Sequence, residues 1–138
     1  MLLDYEVGTI VGATSPIELM IACENVPPPL WEYVIFNSEE EVGWDGHSQK
    51  VPVLAQVTLP VMESLVLTKM TDPEAIKKIR EMEADSPLSY AHLRVLGYVD
   101  PLLKVVRSPR NAPAPGLPVY RAPESILRDF YEVSEDER

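Results

Sequence analysis

The chain has 138 residues, with 22 acidic against 12 basic side chains, a formal net charge of −10, and 46% hydrophobic residues. That length suits one domain with a real core, and the composition lies outside the disordered range. The acid excess argues against gripping a phosphate backbone or an anionic membrane surface, and the single cysteine, Cys23, excludes an intrachain disulfide or a multi-cysteine zinc site.

The N-terminal MLLDYE carries acid where a secretory signal carries Lys or Arg, and no stretch approaches the ~20 apolar residues of a membrane span, so a cytoplasmic domain is expected. Thirteen residues further on, two β-patterned runs have already passed or begun. In 6–14, Val7, Thr9, Val11 and Ala13 alternate with Gly8, Ile10 and Gly12; in 17–23, Ile17, Leu19, Ile21 and Cys23 alternate with Glu18, Met20 and Ala22. Only Thr14-Ser15-Pro16 separates them, which predicts an antiparallel hairpin. Gly8 and Gly12 inside such a run predict bending or close backbone approach, as at a small barrel's corners.

Pro27-Pro28-Pro29 interrupts the sheet, since proline donates nothing to a ladder. A third strand is predicted over 30–36, with Trp31, Tyr33 and Ile35 on one face and Trp31 assigned to the core. Residues 37–50 read as an exposed acidic loop, 51–58 as a strand, and 61–68 as either strand or irregular crossover. A helix follows, with either Thr71/Glu74 as a capping box or Asp72 as N-cap before Pro73, an Ile76/Ile79/Met82 stripe, and a stop at Asp85-Ser86-Pro87. A long strand runs over 89–99, placing Leu93 and Val95 opposite Tyr90, Leu96 and Tyr98. Four prolines in 108–118 predict an extended strap; 119–121 adds a short strand. From Pro123 a brief helix shares Ile126, Leu127, Phe130 and Tyr131 on one face, before a charged tail expected to fray. The fold class is therefore mainly β: a small closed or partly open antiparallel barrel of about six strands, with one inserted helix and a short C-terminal helix. Residues 1–122 form the barrel, and 123–138 a helix and acidic tail.

Chemistry is hard to place on this chain. There is no G-x-x-x-x-G-K-[ST] string, and Gly8 and Gly12 do not make G-x-G-x-x-G. His47 and His92 are the only histidines, and no pattern sets either beside a nucleophile. His47 with Asp45 and the glutamates 39–41 reads either as a weak metal set or as a solvated loop, and the absence of closed-site ligand spacing favours the loop. The run Glu39-Glu40-Glu41 gives no sign of a raised pKa. No catalytic, cofactor or metal residue is assigned. Trp44, between Gly43 and Asp45-Gly46, is either a partner anchor or a plug folded over a barrel end. With Val42, Asp45 and His47 it makes the candidate partner-binding set.

The order of these pieces carries a resemblance. GTIVG (Gly8–Gly12), a hairpin, WEYV (Trp31–Val34), VLAQVT (Val53–Thr58), a helix-bearing crossover, a long strand and PRNAPAPGLPVYRAPESIL (Pro109–Leu127) follow in sequence. The chain resembles the N-terminal HAS barrel (HerA–ATP synthase barrel) of archaeal HerA-type DNA helicases and translocases. Gly8, Gly12, Pro113, Pro115, Gly116, Val119 and Ala122 are the positions matching that pattern. The resemblance implies a collar domain in a hexameric ring that docks a NurA-type nuclease for resecting DNA double-strand breaks. DNA would be met only through the parent assembly, and ATPase activity would lie on a motor outside these residues. Either the chain is a fragment of such a protein, or it is a free-standing barrel that binds a small ligand or works as an adaptor. An RNA-processing barrel of the PRC type is disfavoured by the negative charge.

Overall fold

The structure, a computed structural model, describes residues 5–64, 72–81 and 88–136. Among these described residues, seven strands and two helices follow in chain order: β1 (Glu6–Val11), β2 (Glu18–Cys23), β3 (Tyr33–Val42), β4 (His47–Glu63), α1 (Pro73–Glu81), β5 (Leu88–Val99), β6 (Val106–Arg107), β7 (Pro118–Arg121) and α2 (Glu124–Asp136). The sheet order is β2-β1-β7-β3-β4-β5-β6, and β2 also pairs with β5. Six strands therefore close into an antiparallel barrel, and β6 is appended outside it on β5. Closure removes the free edges that an open sheet of this size would expose.

The predicted hairpin is present, with Thr9↔Ala22 and Val11↔Met20 in register. Its turn is held by the Ser15 hydroxyl, which accepts from the amides of Ile17 and Glu18. Gly8 is there because backbone passes too close for a side chain: a Cβ would sit 2.7 Å from the Ala22 carbonyl oxygen. Gly12 takes a left-handed φ of 72° just beyond β1, where a side chain is strained. The proline strap is stitched to this hairpin. The Thr14 hydroxyl donates to the Pro113 carbonyl, Gly116 N–H to Ile10 O, and Ile10 N–H to Leu117 O. Gly116 is left-handed (φ 97°), Val119 is wholly interior, Ala122 is buried beneath α2, and Pro115 is exposed.

The barrel interior is filled by Ile10, Leu19, Ile21, Val34, Phe36, Val53, Ala55, Val57, Ala91, Leu93, Tyr98 and Val119 among others. β3 and β4 are also apolar on the outside, and the physical reason is α2. Ile35 and Leu54 face outward and are covered by Phe130, with Ile126 and Leu127 beside it. Burying one such phenyl ring stabilises by roughly 2 kcal/mol. The hydroxyls of Tyr33 and Tyr131 share a 2.7 Å hydrogen bond beside this contact. Burial, then the bond from Tyr33, pushes Tyr131 up to about 12.

Several expectations need correction. Residues 37–50 are not a loop: β3 and β4 stay paired from Tyr33↔Gln56 out to Val42↔His47, leaving only Gly43–Gly46 as the turn. The alternation was concealed by charge, for Ser38, Glu40 and Val42 face inward while Asn37 and Glu39 face out. Trp31 is not core; it is 57% exposed. Tyr98 does not oppose Leu93 but joins it in the interior, because a register shift between Leu54↔Gly97 and Ala55↔Val95 inserts Leu96 and reverses the parity. The helix expected to fray after Tyr131 continues to Asp136. Of the ambiguous segment 61–68, residues 61–63 are strand, and 65–68 lie outside the described residues. Of the two N-caps, Asp72 is used: its carboxylate accepts from Glu74 N–H, and Pro73 opens the helix. Thr71, Met82 and the stop at 85–87 lie outside the described residues. No helix among the described residues is long and apolar enough to cross a membrane.

Candidate functional site

The β3–β4 hairpin ends in a four-residue turn whose two glycines carry the backbone strain. Gly43 and Gly46 have φ of 71° and 77°, so Trp44 and Asp45 between them need not adopt that conformation. Trp44 is 87% exposed. It is therefore not a plug folded over the barrel end. Leu102, 63% exposed, stands beside the turn, since a Cβ on Gly43 would lie 3.2 Å from its Cδ1.

What fixes the turn is a buried ionic cluster, which the sequence reading did not single out. Asp100 follows β5 and has no exposed surface. Its carboxylate accepts from Gly43 N–H (2.9 Å), Leu102 N–H (2.8 Å), Leu103 N–H (3.0 Å) and the Arg107 guanidinium (3.0 Å). Burial pushes this carboxyl upward; the Leu103 and Gly43 amides, Arg107 and the Leu102 amide outweigh it and hold it down at about 2. Arg107 also donates to the carbonyls of Glu41 and Gly43, and its ion pair with Glu41 spans 3.6 Å. The Tyr98 hydroxyl reaches out from the barrel interior to the Glu41 carbonyl at 2.7 Å. The β3 side of the turn is thus bonded, at Glu41 and Gly43, to the β5–β6 corner, and Trp44 is presented on that base.

The remaining predicted residues are distributed around this base. Val42 is buried in the interior core, so it anchors the hairpin and offers no partner surface. Asp45 and His47 are exposed and lie 3.2 Å apart. The glutamates 39–41 do not converge on them: Glu40 is buried with its carboxylate bonded by the Ser38 hydroxyl, and Glu41 faces Arg107 and Arg110. Burial raises the Glu40 pKa, contrary to the plain reading of that acidic run. Among the described residues no group of three or more His, Cys, Asp or Glu gathers as a metal site would require. The signal for Asp100 lay in Asp100-Pro101 at a strand's end, a pairing typical of a side chain that bonds the backbone two residues on.

The opposite end of β3 is built differently. Trp31, just before the strand, itself takes a left-handed φ of 71°, held by its N–H to Val57 O and by Gln56 donating to its carbonyl. Next to it lies a cleft of about 680 Å³ between the start of β1, the end of β2 and Pro27–Pro29.

No family model matches the chain. It is similar to a protein of Methanocaldococcus jannaschii named probable helicase MJ1565, 28% identical over 130 residues. That alignment takes in 91% of this chain but only 23% of the relative, so the chain corresponds to a small part of a much longer protein. What is similar is therefore a small β-barrel on this side and under a quarter of a protein named probable helicase on the other.

Proposed function

We propose that the chain is the HAS barrel of a HerA-like hexameric DNA helicase, working as an assembly and partner-docking collar with a NurA-type nuclease in the resection of broken DNA ends. The closed six-strand barrel and the similarity to part of a protein named probable helicase support the helicase association. The observation that carries the docking role is Trp44, 87% exposed on a turn that Asp100 and Arg107 hold rigid. An exposed aromatic on a pre-organised base costs little conformational entropy on binding, which is the physical profile of an interface hot spot. The acidic surface is consistent with a collar that meets protein, leaving contact with DNA to the motor or the nuclease.

The test is direct binding of the immobilised chain to a purified NurA-type nuclease and a purified HerA-type motor, without nucleotide. Saturable binding is expected, weakened roughly thirtyfold or more by Trp44→Ala. Absence of binding to both proteins at micromolar concentration would sink the reading. Binding that Trp44→Ala leaves unchanged would move the docking surface elsewhere on the barrel.

A further inference from the structure

We propose that the cleft at the Glu32 end of β3 binds an extended basic segment of a partner protein, whose arginine or lysine side chains meet Glu6 and Glu24. This site is separate from the Trp44 turn and does not depend on it, because the ten residues of β3 lie between them, on the order of 30 Å of strand.

Four observations build the site. The cleft holds about 680 Å³, room for several side chains. One wall is a strand left half-paired: β1 is in register with β7 from Glu6 onward, but with β2 only from Thr9, so Glu6 and Val7 have no β2 partner. An extended segment laid along that edge would find backbone to pair with. The backbone is packed tightly at Gly8, where a Cβ would fall 2.7 Å from the Ala22 carbonyl oxygen, and the buried Pro27 and Pro28 line the same cleft.

The fourth observation is that the cleft already binds one guanidinium, its own. Arg121 lies 4.8 Å over the Tyr5 ring and donates to the Glu32 carboxylate at 2.6 Å. Aromatic face and carboxylate together are the means by which proteins hold arginine. Two further carboxylates, Glu6 and Glu24, line the same cleft with no ion-pair partner among the described residues. The charge selects the ligand: phosphate-bearing ligands are repelled, a second copy brings another −10, and a basic peptide is attracted.

The experiment uses fluorescence anisotropy with a labelled peptide of alternating arginine and valine, and the same peptide with citrulline in place of arginine. Two double variants carry the same change of charge: Glu6→Gln with Glu24→Gln in the cleft, and Glu39→Gln with Asp45→Asn at the far end. All four side chains are exposed, so both variants are expected to fold, which circular dichroism checks. The expected result is binding of the arginine peptide, weakened roughly tenfold by the cleft variant and less than about twofold by the other. Citrulline should abolish it, and amide shifts on titration should centre on Gly8, Thr9 and Ala22. Equal weakening by both variants would mean diffuse attraction to an acidic protein and would overturn the assignment. So would an arginine peptide that does not bind, or concentration-dependent self-association that the cleft variant removes. Because Trp44 is intact in the cleft variant, loss of nuclease or motor binding in Trp44→Ala alone separates the two sites.

Discussion

The two ends of β3 each expose a tryptophan, and they do so on opposite physical terms. At the far end, Gly43 and Gly46 take the left-handed conformations and Trp44 is carried between them, with Asp100 and Arg107 bonded to the turn from beneath. At the near end Trp31 itself is left-handed, and a cleft opens beside it. A residue displayed on an unstrained, bonded turn is set up to be recognised. A bulky residue forced into a left-handed φ costs about 1–2 kcal/mol, which the backbone bond to Val57 and the bond from the Gln56 side-chain amide offset. The side-chain type is the same; the difference lies in which residues bear the strain and in what is buried underneath.

The sharpest way to break the contrast is to remove its buried part. Asp100→Ala leaves Arg107 and the amides of Gly43, Leu102 and Leu103 without their acceptor, and should cost roughly 3–5 kcal/mol in urea unfolding. Its loss should also loosen the turn, so any partner affinity held by Trp44 falls with it. Next in size, Trp44→Ala should weaken partner binding by about 2 kcal/mol or more while moving stability by no more than about 0.5 kcal/mol. A drop in stability of several times that amount would show that Trp44 packs on the fold. Trp31→Gly is the mirror experiment: thermal unfolding should show a gain of up to about 1 kcal/mol from released strain, with binding at the Trp44 end unaltered. A loss there would mean that the indole's contacts outweigh its backbone.

The smallest effect concerns pH, and the two buried carboxyls of this region act with opposite sign. Asp100 titrates at about 2 against an ordinary 3.8, so its contribution is full above 3.8 and is lost as pH falls toward 2. Glu40 is raised above an ordinary 4.5 by burial, so the neutral acid is the better-tolerated form. Its contribution is greatest below 4.5 and is lost as pH rises through the folded value. Glu40→Gln should therefore stabilise the protein by less than about 1 kcal/mol at neutral pH, with the gain shrinking below pH 4.5. Denaturant midpoints measured at a series of pH values in wild type and variant would show whether the difference follows that course.

Where apolar residues alternated plainly, the fold was legible: the β1–β2 hairpin, the start of β3, the middle of β4, the first half of β5 and the apolar face of α2 stand where their patterns put them. The distal half of the β3–β4 hairpin escaped because its inward positions include Ser38 and Glu40, polar residues that only a bond to each other makes acceptable inside. Trp31 was misread because strand parity continued through a residue whose φ had already left the strand. Of the candidate site, Trp44, Asp45 and His47 were legible as a glycine-bracketed polar turn. Its base was not, since Asp100 and Gly43 are separated by 57 residues and meet only when β5 closes against β4.

By itself, the sequence determined a mainly β chain, with its breaks at the prolines, helix starts near residues 71–73 and 123, and an excess of acid over base. These follow from local steric and electrostatic rules that act within a few residues. Only the tertiary structure decided that the sheet closes through β2 and β5, that a bulge at Leu96 turns Tyr98 inward, and that Asp100 becomes the buried acceptor under the Trp44 turn. Each of these depends on which distant strands are neighbours. Register and closure belong to the whole barrel, and no local window of residues contains them.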